Sequence, residues 1–329
     1  MTDIYGTLGP ACCSKDTLIA MFNNGMTGIR LNLSHTTIKK SAEALDVLKS
    51  AAEQCKIEYK LLVDMQGPEL RIGDMAQPLT LETGKETEIG DNGIPIPDII
   101  FQYLTAGQTV LLDDGKIALK IISSSETERR ASAYIIRGGV LSGRKSIAIE
   151  NTDIPAPALT DEDLENISDA GKYGVYAVMQ PFVRSKDDLI NVRAALNNAG
   201  CSNVRIFAKI ENKQGINNLQ EILQYADEIV IARGDLGNAM PLWQLPAAQK
   251  MIAAKCRSAG KPFMVVTQML ASMENSQIPT RAEVSDIFNA VCDGASSVMV
   301  TGETASGRYP DKAILYLANT AKEAEKYIG

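Results

Sequence analysis

Eight short runs rich in apolar and β-branched residues recur along the chain, at 3–8, 27–33, 59–64, 174–182, 204–210, 228–233, 262–267 and 296–301. Each is matched by a segment of helical periodicity, at 15–24, 36–54, 161–172, 186–199, 214–225, 241–259, 280–292 and 310–327. Strand and helix alternating this regularly imply parallel strands joined by right-handed crossovers. Eight such units are what a closed (β/α)8 barrel needs, and such a barrel carries its chemistry at the C-terminal ends of its strands. The fold class expected is α/β, and function is to be sought where the eight runs end.

The alternation breaks once, between the third run and its helix. Residues 74–149 carry turn signals instead of helical periodicity: Gly84, Asp91-Asn92-Gly93, Asp113-Asp114-Gly115 and Gly138-Gly139 separate runs such as 109–112, 116–122 and 133–136. This predicts a small all-β domain inserted into a barrel formed by 1–73 and 150–329, and 329 residues leave room for both. An insert that leaves the barrel on its catalytic face suits a hinged lid that excludes water. The plain alternative is a rigid decoration.

Composition narrows the function classes. Hydrophobic residues make up 45% and charged residues 22%, which is ordinary for a globular enzyme. A net charge of -7 argues against a general binder of nucleic acid or anionic membrane. The six cysteines, at 12, 13, 55, 201, 256 and 292, show no C-x-x-C spacing, and His35 is the one histidine, so a zinc site is not expected. Adjacent Cys12 and Cys13 suit reduced thiols rather than a secreted disulfide framework. The first residues lack a basic and apolar leader and no apolar run reaches a membrane span, so a cytoplasmic location is expected.

The run ends are unusually polar. A two-residue period turns Arg30, Asn32 and Ser34 of the second run the same way, with His35 directly after. Such a cluster suits phosphates and a cation, although a mutually satisfied buried network is the plainer reading of any one member. The third run delivers Asp64, then Met65, Gln66, Glu69 and Arg71 around a Gly67-Pro68 turn, and Asp64 with Arg71 could be a simple salt bridge. Lys209 and Glu211 end the fifth run on one face, and buried charges of this kind need a partner or a ligand. Asp235 follows the sixth run beside Gly234. With Glu211 it could hold a divalent ion against a phosphate, or it could only cap a helix. Thr267 and Thr301 end the last two runs, where hydroxyls bind ligands or cap backbone.

In order, Arg30-Leu-Asn-Leu-Ser-His35, Asp64-Met-Gln-Gly-Pro-Glu-Leu-Arg71, Lys209-Ile-Glu-Asn212, Ala232-Arg-Gly-Asp-Leu-Gly237 and Thr267-Gln-Met-Leu270 resemble the pyruvate kinase family. Pro279-Thr-Arg-Ala-Glu283 and Gly302-Glu-Thr-Ala305 extend the resemblance, which covers nearly the whole chain and is weakest at 74–149. It implies transfer of a phosphoryl group from phosphoenolpyruvate to ADP. It further implies Mg2+ on Glu211 and Asp235; K+ on Asn32, Ser34, Asp64 and the carbonyl of Met65; and substrate held by Arg30, Lys209, Gly234, Asp235 and Thr267. Lys209, Thr267 and Arg30 would be catalytic, and Arg30, Asn32, His35, Arg71 and Lys145 would meet the nucleotide.

The sequence also departs from the family pattern. Met65-Gln66 stands where the family usually has Thr-Lys, while Glu69 is of the type that accompanies potassium dependence. Ala148-Ile-Glu-Asn151 replaces a usual Asn-Leu-Pro-Gly, and Ala239 a usual glutamate. The insert is short, and the chain ends at Gly329, where the family continues into a C-terminal regulatory domain. A kinase without that control is therefore expected, with a homo-oligomer through the barrel a possibility. A catalytically silent phosphoenolpyruvate or nucleotide binder and a metal-dependent oxoacid aldolase are the rivals.

Overall fold

The computed structural model describes residues 1–329 apart from His35, Asp114, Asn151 and Asp153. Eight parallel strands close a barrel in chain order: Asp3–Thr7, Gly28–Asn32, Lys60–Asp64, Val175–Gln180, Arg205–Ile210, Glu228–Ala232, Phe263–Val266 and Ser297–Met299. The first and eighth strands seal it, with Asp3 opposite Ser297 and Tyr5 opposite Met299. Alternation along each strand sorts the side chains into two layers. Tyr5, Leu62, Ala177, Met179, Phe207, Val230, Met264, Val266 and Met299 fill the barrel interior. Their sequence neighbours, such as Leu61, Val63, Val178, Ile206, Ala208, Ile229 and Val265, pack outward in the cluster that the surrounding helices share. Both faces of most strands are thus apolar, as a buried parallel sheet requires, the second strand turning Arg30 and Asn32 away from its apolar outer face of Ile29 and Leu31.

The helices agree with the periodicity, with two physical refinements. The expected 36–54 helix is a 3-10 turn, Lys39–Ser41, followed by Ala42–Cys55, which ends on Lys56 in the left-handed conformation. The expected 214–225 helix is split into Lys213–Asn217 and Leu219–Tyr225. Asn212 caps the first piece by accepting the Gly215 N–H at 2.7 Å. At Gly215 the chain passes so close to the Val183 carbonyl that a Cβ would lie 2.5 Å from it, so only glycine fits. Short helical turns also open at the strand ends, at Arg233–Asn238 and Gly302–Ala305.

The chain divides into two compact units, 1–67 with 158–329, and 68–157. The second unit starts before residue 74 and runs past 149 because the flanking segments pair within it. Ile72 N–H bonds to the Lys145 carbonyl at 2.9 Å, Gly73 N–H to the Pro95 carbonyl at 2.8 Å, and Ile154 packs on its core. It holds a five-stranded antiparallel sheet ordered Ile147–Ile149, Thr109–Leu112, Ile117–Ser125, Arg130–Arg137, Glu86–Gly90, and a pair Leu79–Leu81 with Gly139–Leu141. One helical turn, Asp98–Phe101, interrupts the expected all-β pattern. The expected turn at Asp113-Asp114-Gly115 and the Ala148–Asn151 departure each include a residue outside those described.

All six cysteines are free thiols, and no helix among the described residues is long and apolar enough to cross a membrane.

The N-terminal end of the barrel buries Glu228, whose carboxylate accepts a hydrogen bond from Ser297 Oγ. Burial pushes its pKa up to about 7, against smaller opposing effects of Ser297 and Arg205. The folded protein therefore holds a proton that the unfolded chain releases at lower pH. Stability from this group is complete below the unfolded value near 4.5, falls as pH rises toward 7, and stays lost above it. Glu228→Gln, which keeps the acceptor and cannot ionise, should raise the melting temperature at pH 8 by the equivalent of about 3 kcal/mol and change little at pH 4.5. Equal effects at both pH values would contradict this assignment.

Candidate active site

At the C-terminal mouth the inward positions turn from apolar to charged. Asp64 follows Leu62 on one face of the third strand, and Lys209 and then Glu211 follow Phe207 on the fifth. Lys209 Nζ lies 3.2 Å from both oxygens of Asp64 and 3.1 Å from Glu211 Oε1. Arg30 clasps the same Asp64 oxygen twice, from Nε at 2.8 Å and from Nη2 at 2.7 Å. Its remaining Nη1 reaches Thr7 Oγ1 at 3.4 Å. Glu211 Oε2 accepts the Phe182 N–H at 2.8 Å. Asp64 and Glu211 are each 2% exposed, so their charges depend on their neighbours rather than on water.

The four charges are not equally at ease. Burial works against charge on Lys209, but Asp64 and Glu211 outweigh it and hold the ammonium above the usual lysine range. Burial likewise opposes charge on Asp64, yet Lys209 and Arg30 hold it below the ordinary carboxylate range. Glu211 is the member left short. Burial pushes it up to about 7, Lys209 only partly offsets this, and Asp235 and Asp64 add to the rise. The shared lysine therefore serves Asp64 first, and Glu211 is the carboxylate that a further cation would relieve.

Asp235 lies in the first turn of Arg233–Asn238, whose N-cap is Ala232, so it is not the cap. The N–H groups of this first turn have no partner within the helix. Thr267 ends the seventh strand with φ 79 and Gln268 follows with φ 56, two consecutive non-glycine residues in the left-handed region. Thr267 sits against Gly234, where a Cβ would come within 3.0 Å of its methyl group. A cavity of about 800 Å³ is bordered by Leu8, Pro10, Arg30, Asn32, Thr267 and Thr301 among others, and Lys209, Glu211, Gly234 and Asp235 do not line it.

The other expected residues divide by unit. Asn32 Oδ1 accepts the Ser34 N–H at 3.1 Å, and Met65 is buried with its N–H bonded to the Met179 carbonyl at 3.0 Å. His35 lies outside the described residues. Arg71 and Lys145 belong to the 68–157 unit. There Arg71 pairs with Glu69, and in the barrel unit Asp64 is engaged by Arg30 and Lys209. Lys145 Nζ lies 2.9 Å from Asp113 Oδ1.

Sequence reasoning passed over several residues that shape the mouth. Thr7 ties strand one to Gly302–Ala305, its N–H bonding Thr304 Oγ1 at 2.8 Å while its own hydroxyl reaches the Val300 carbonyl at 3.0 Å. Glu303, buried, accepts the N–H of Leu270 at 3.0 Å and of Thr301 at 2.7 Å. Arg233 binds the Thr267 carbonyl from Nε at 3.1 Å and Nη2 at 2.8 Å. Arg233 and Glu303 stand inside motifs already quoted, and a charge enclosed by apolar strand ends was the available signal.

Comparison with known proteins agrees with the motifs. The family model described as the pyruvate kinase barrel domain matches residues 1–314. The pyruvate kinase of Chlamydia pneumoniae is 35% identical over 99% of this chain and 69% of its own length. That of Staphylococcus haemolyticus is 35% identical over 98% of this chain and 57% of its own, and that of Candida albicans 35% over 99% and 67%. The chain thus spans 57% to 69% of the length of these relatives.

Removing Lys209 leaves two buried carboxylates with one cation between them. Lys209→Met should lower stability at pH 8 by roughly 3 kcal/mol, and by less at pH 5, where Glu211 is already protonated. Adding Glu211→Gln should recover part of the loss. Urea melts at the two pH values read this directly, and unchanged midpoints would show that the lysine carries no such coupling.

Proposed function

The chain belongs to the pyruvate kinase family, and from that premise we propose that it moves the phosphoryl group of phosphoenolpyruvate to ADP, giving pyruvate and ATP. One observation carries the reading: Lys209 is held charged between Asp64 and Glu211 at the barrel mouth, with Arg30 on the other side of Asp64. Phosphoryl transfer depends on positioning and fixed positive charge more than on a protein nucleophile. A desolvated lysine kept protonated by carboxylates supplies that charge to the transferring group and to the enolate left behind. Arg30, braced by Asp64, orients phosphate oxygens with its Nη1 edge, which in this structure reaches Thr7 Oγ1 at 3.4 Å. Thr267 and the backbone N–H groups of Gly234 and Asp235 receive the substrate carboxylate.

Mg2+ fits the donors present. It accepts one or two carboxylates together with substrate phosphate and water oxygens; Glu211, raised chiefly by burial with Asp235 and Asp64 adding, would be relieved by a further cation, although Oε1 meets Lys209 and Oε2 the Phe182 N–H. Glu211 and Asp235 would hold it, and when bound it supplies neutralisation of phosphate charge. For K+, the resemblance points to Asn32, Ser34, Asp64 and the Met65 carbonyl. Both Asp64 oxygens are already engaged by Lys209 or Arg30, so no step is derived through it. Arg71 and Lys145 remain the proposed nucleotide contacts of the second unit, and His35 a further one. A cytoplasmic location belongs to the same reading.

Lactate-dehydrogenase-coupled turnover of phosphoenolpyruvate with ADP, Mg2+ and K+ tests the proposal. Pyruvate should form, and Glu211→Gln should reduce it sharply. Calorimetry showing that both ligands bind while no pyruvate appears would replace the kinase with a silent binder. Mg2+ binding to the free protein carries its own pH signature. Because Glu211 ionises near pH 7, the metal should expel a proton below that pH, and its affinity should rise with pH and level off above it. Titrations in buffers of different ionisation enthalpy measure the proton, and the dependence should vanish in Glu211→Gln.

A further inference from the structure

We propose that Arg233 and Asp286 form a clamp that fixes Thr267 in its left-handed conformation, making Arg233 a positioning residue for the phosphoryl transfer proposed above, on which reading this role rests. Thr267 is β-branched, and its φ of 79, followed by 56 at Gln268, is a conformation such a residue adopts only when its surroundings impose it.

The imposing contacts are few and specific. The guanidinium of Arg233 places Nε at 3.1 Å and Nη2 at 2.8 Å from the one carbonyl oxygen of Thr267. Nη2 also meets Met269 Sδ at 2.9 Å, two residues along the same loop. The opposite edge of the fork is anchored by Asp286 of the helix Arg281–Cys292, with Nη1 at 2.6 Å from Oδ2. On the far side of the loop, Glu303 accepts the Leu270 N–H at 3.0 Å. The segment 267–270 is thus gripped at both ends.

Chain connectivity gives the clamp its functional direction. Arg233 immediately precedes Gly234 and Asp235, so the residue whose side chain grips the end of strand seven also begins the helical turn after strand six. Gly234 lets the two ends meet, since a Cβ there would press on the Thr267 methyl at 3.0 Å. The Thr267 hydroxyl and the Gly234-Asp235 backbone, the two halves of the proposed carboxylate site, are therefore held in register by one guanidinium. Lysine cannot take its place, because a single ammonium does not span a carbonyl and a carboxylate on opposite edges.

The test uses the full chain with methyl-labelled threonine, the Thr267 signal being assigned by its absence in Thr267→Ser. In Arg233→Lys the Thr267 methyl resonance should shift or broaden while the melting temperature stays within a few degrees. Turnover should then fall by about tenfold to a hundredfold with the Michaelis constant for ADP nearly unchanged. Asp286→Asn, which keeps the arginine, should move both readouts the same way by less, and carries the test if Arg233→Lys does not fold. An unmoved methyl resonance overturns the clamp whatever the activity, and a moved resonance with unaltered turnover overturns its positioning role. If the variants show the resonance change but neither they nor the parent protein forms pyruvate, the clamp stands and the kinase reading falls.

Discussion

Two carboxylates and two cations buried side by side at the mouth of the barrel are the constraint around which the rest is arranged. Each ion would be expensive alone, so each fixes where the others must be. Asp64 on the third strand and Lys209 on the fifth meet across the intervening fourth strand because alternate strands of a closed barrel contribute to the same inward layer. Parallel register sets the level, with Asn32 opposite Asp64 and Asp64 opposite Met179. A slip of one residue in any of these strands would turn the charge outward into the apolar helix layer. Closure of the barrel and assembly of the charge cluster are therefore one event energetically.

That arrangement leaves an imbalance in a definite place. Arg30 and Lys209 both serve Asp64, and Glu211 takes a share of one lysine and one backbone N–H. The donor of that N–H, Phe182, has φ 51, so a third non-glycine residue at the mouth occupies the left-handed region, beside Thr267 and Gln268. Such positions cost on the order of 1–3 kcal/mol each and persist where a site needs the geometry they give. Here they aim one amide at the under-compensated carboxylate and turn the end of strand seven toward Gly234.

Much of the fold was legible in the sequence because its signals are local. A run of apolar residues long enough for one strand, a cap such as Thr160 or Thr280 with an acidic residue three later, and a helical period can each be read without knowing the partner. The strand ends also singled out Arg30, Asp64, Lys209 and Glu211, each within a separate cluster, because polar residues at inward positions stand out against Leu62 or Phe207. What could not be read was who pairs with whom. Asp64 is seven residues from Arg71 and far along the chain from Lys209, yet tertiary structure gives it the latter. The close approach of Gly215 to the Val183 carbonyl and the grip of Arg233 on Thr267 are contacts between segments that no periodicity encodes.

The departure at Met65-Gln66 shows the same division between local identity and tertiary role. The loop that carries it is shaped by Asp163, a buried carboxylate that accepts the N–H of Gln66 at 2.8 Å, of Gly67 at 2.9 Å and of Thr160 at 3.0 Å. Backbone amides are supplied by any residue other than proline, so the path of the loop does not depend on the side chains at 65 and 66. Gly67 is the exception, because its φ of 64 and the 2.4 Å that would separate a Cβ from Pro181 admit nothing larger. Gln66 itself donates its side-chain amide to Glu162 Oε2 at 2.7 Å and to the Leu33 carbonyl at 3.3 Å. Glutamine where the family usually has lysine puts an uncharged side chain on this loop, so the cations that meet the buried Asp64 are Lys209 and Arg30.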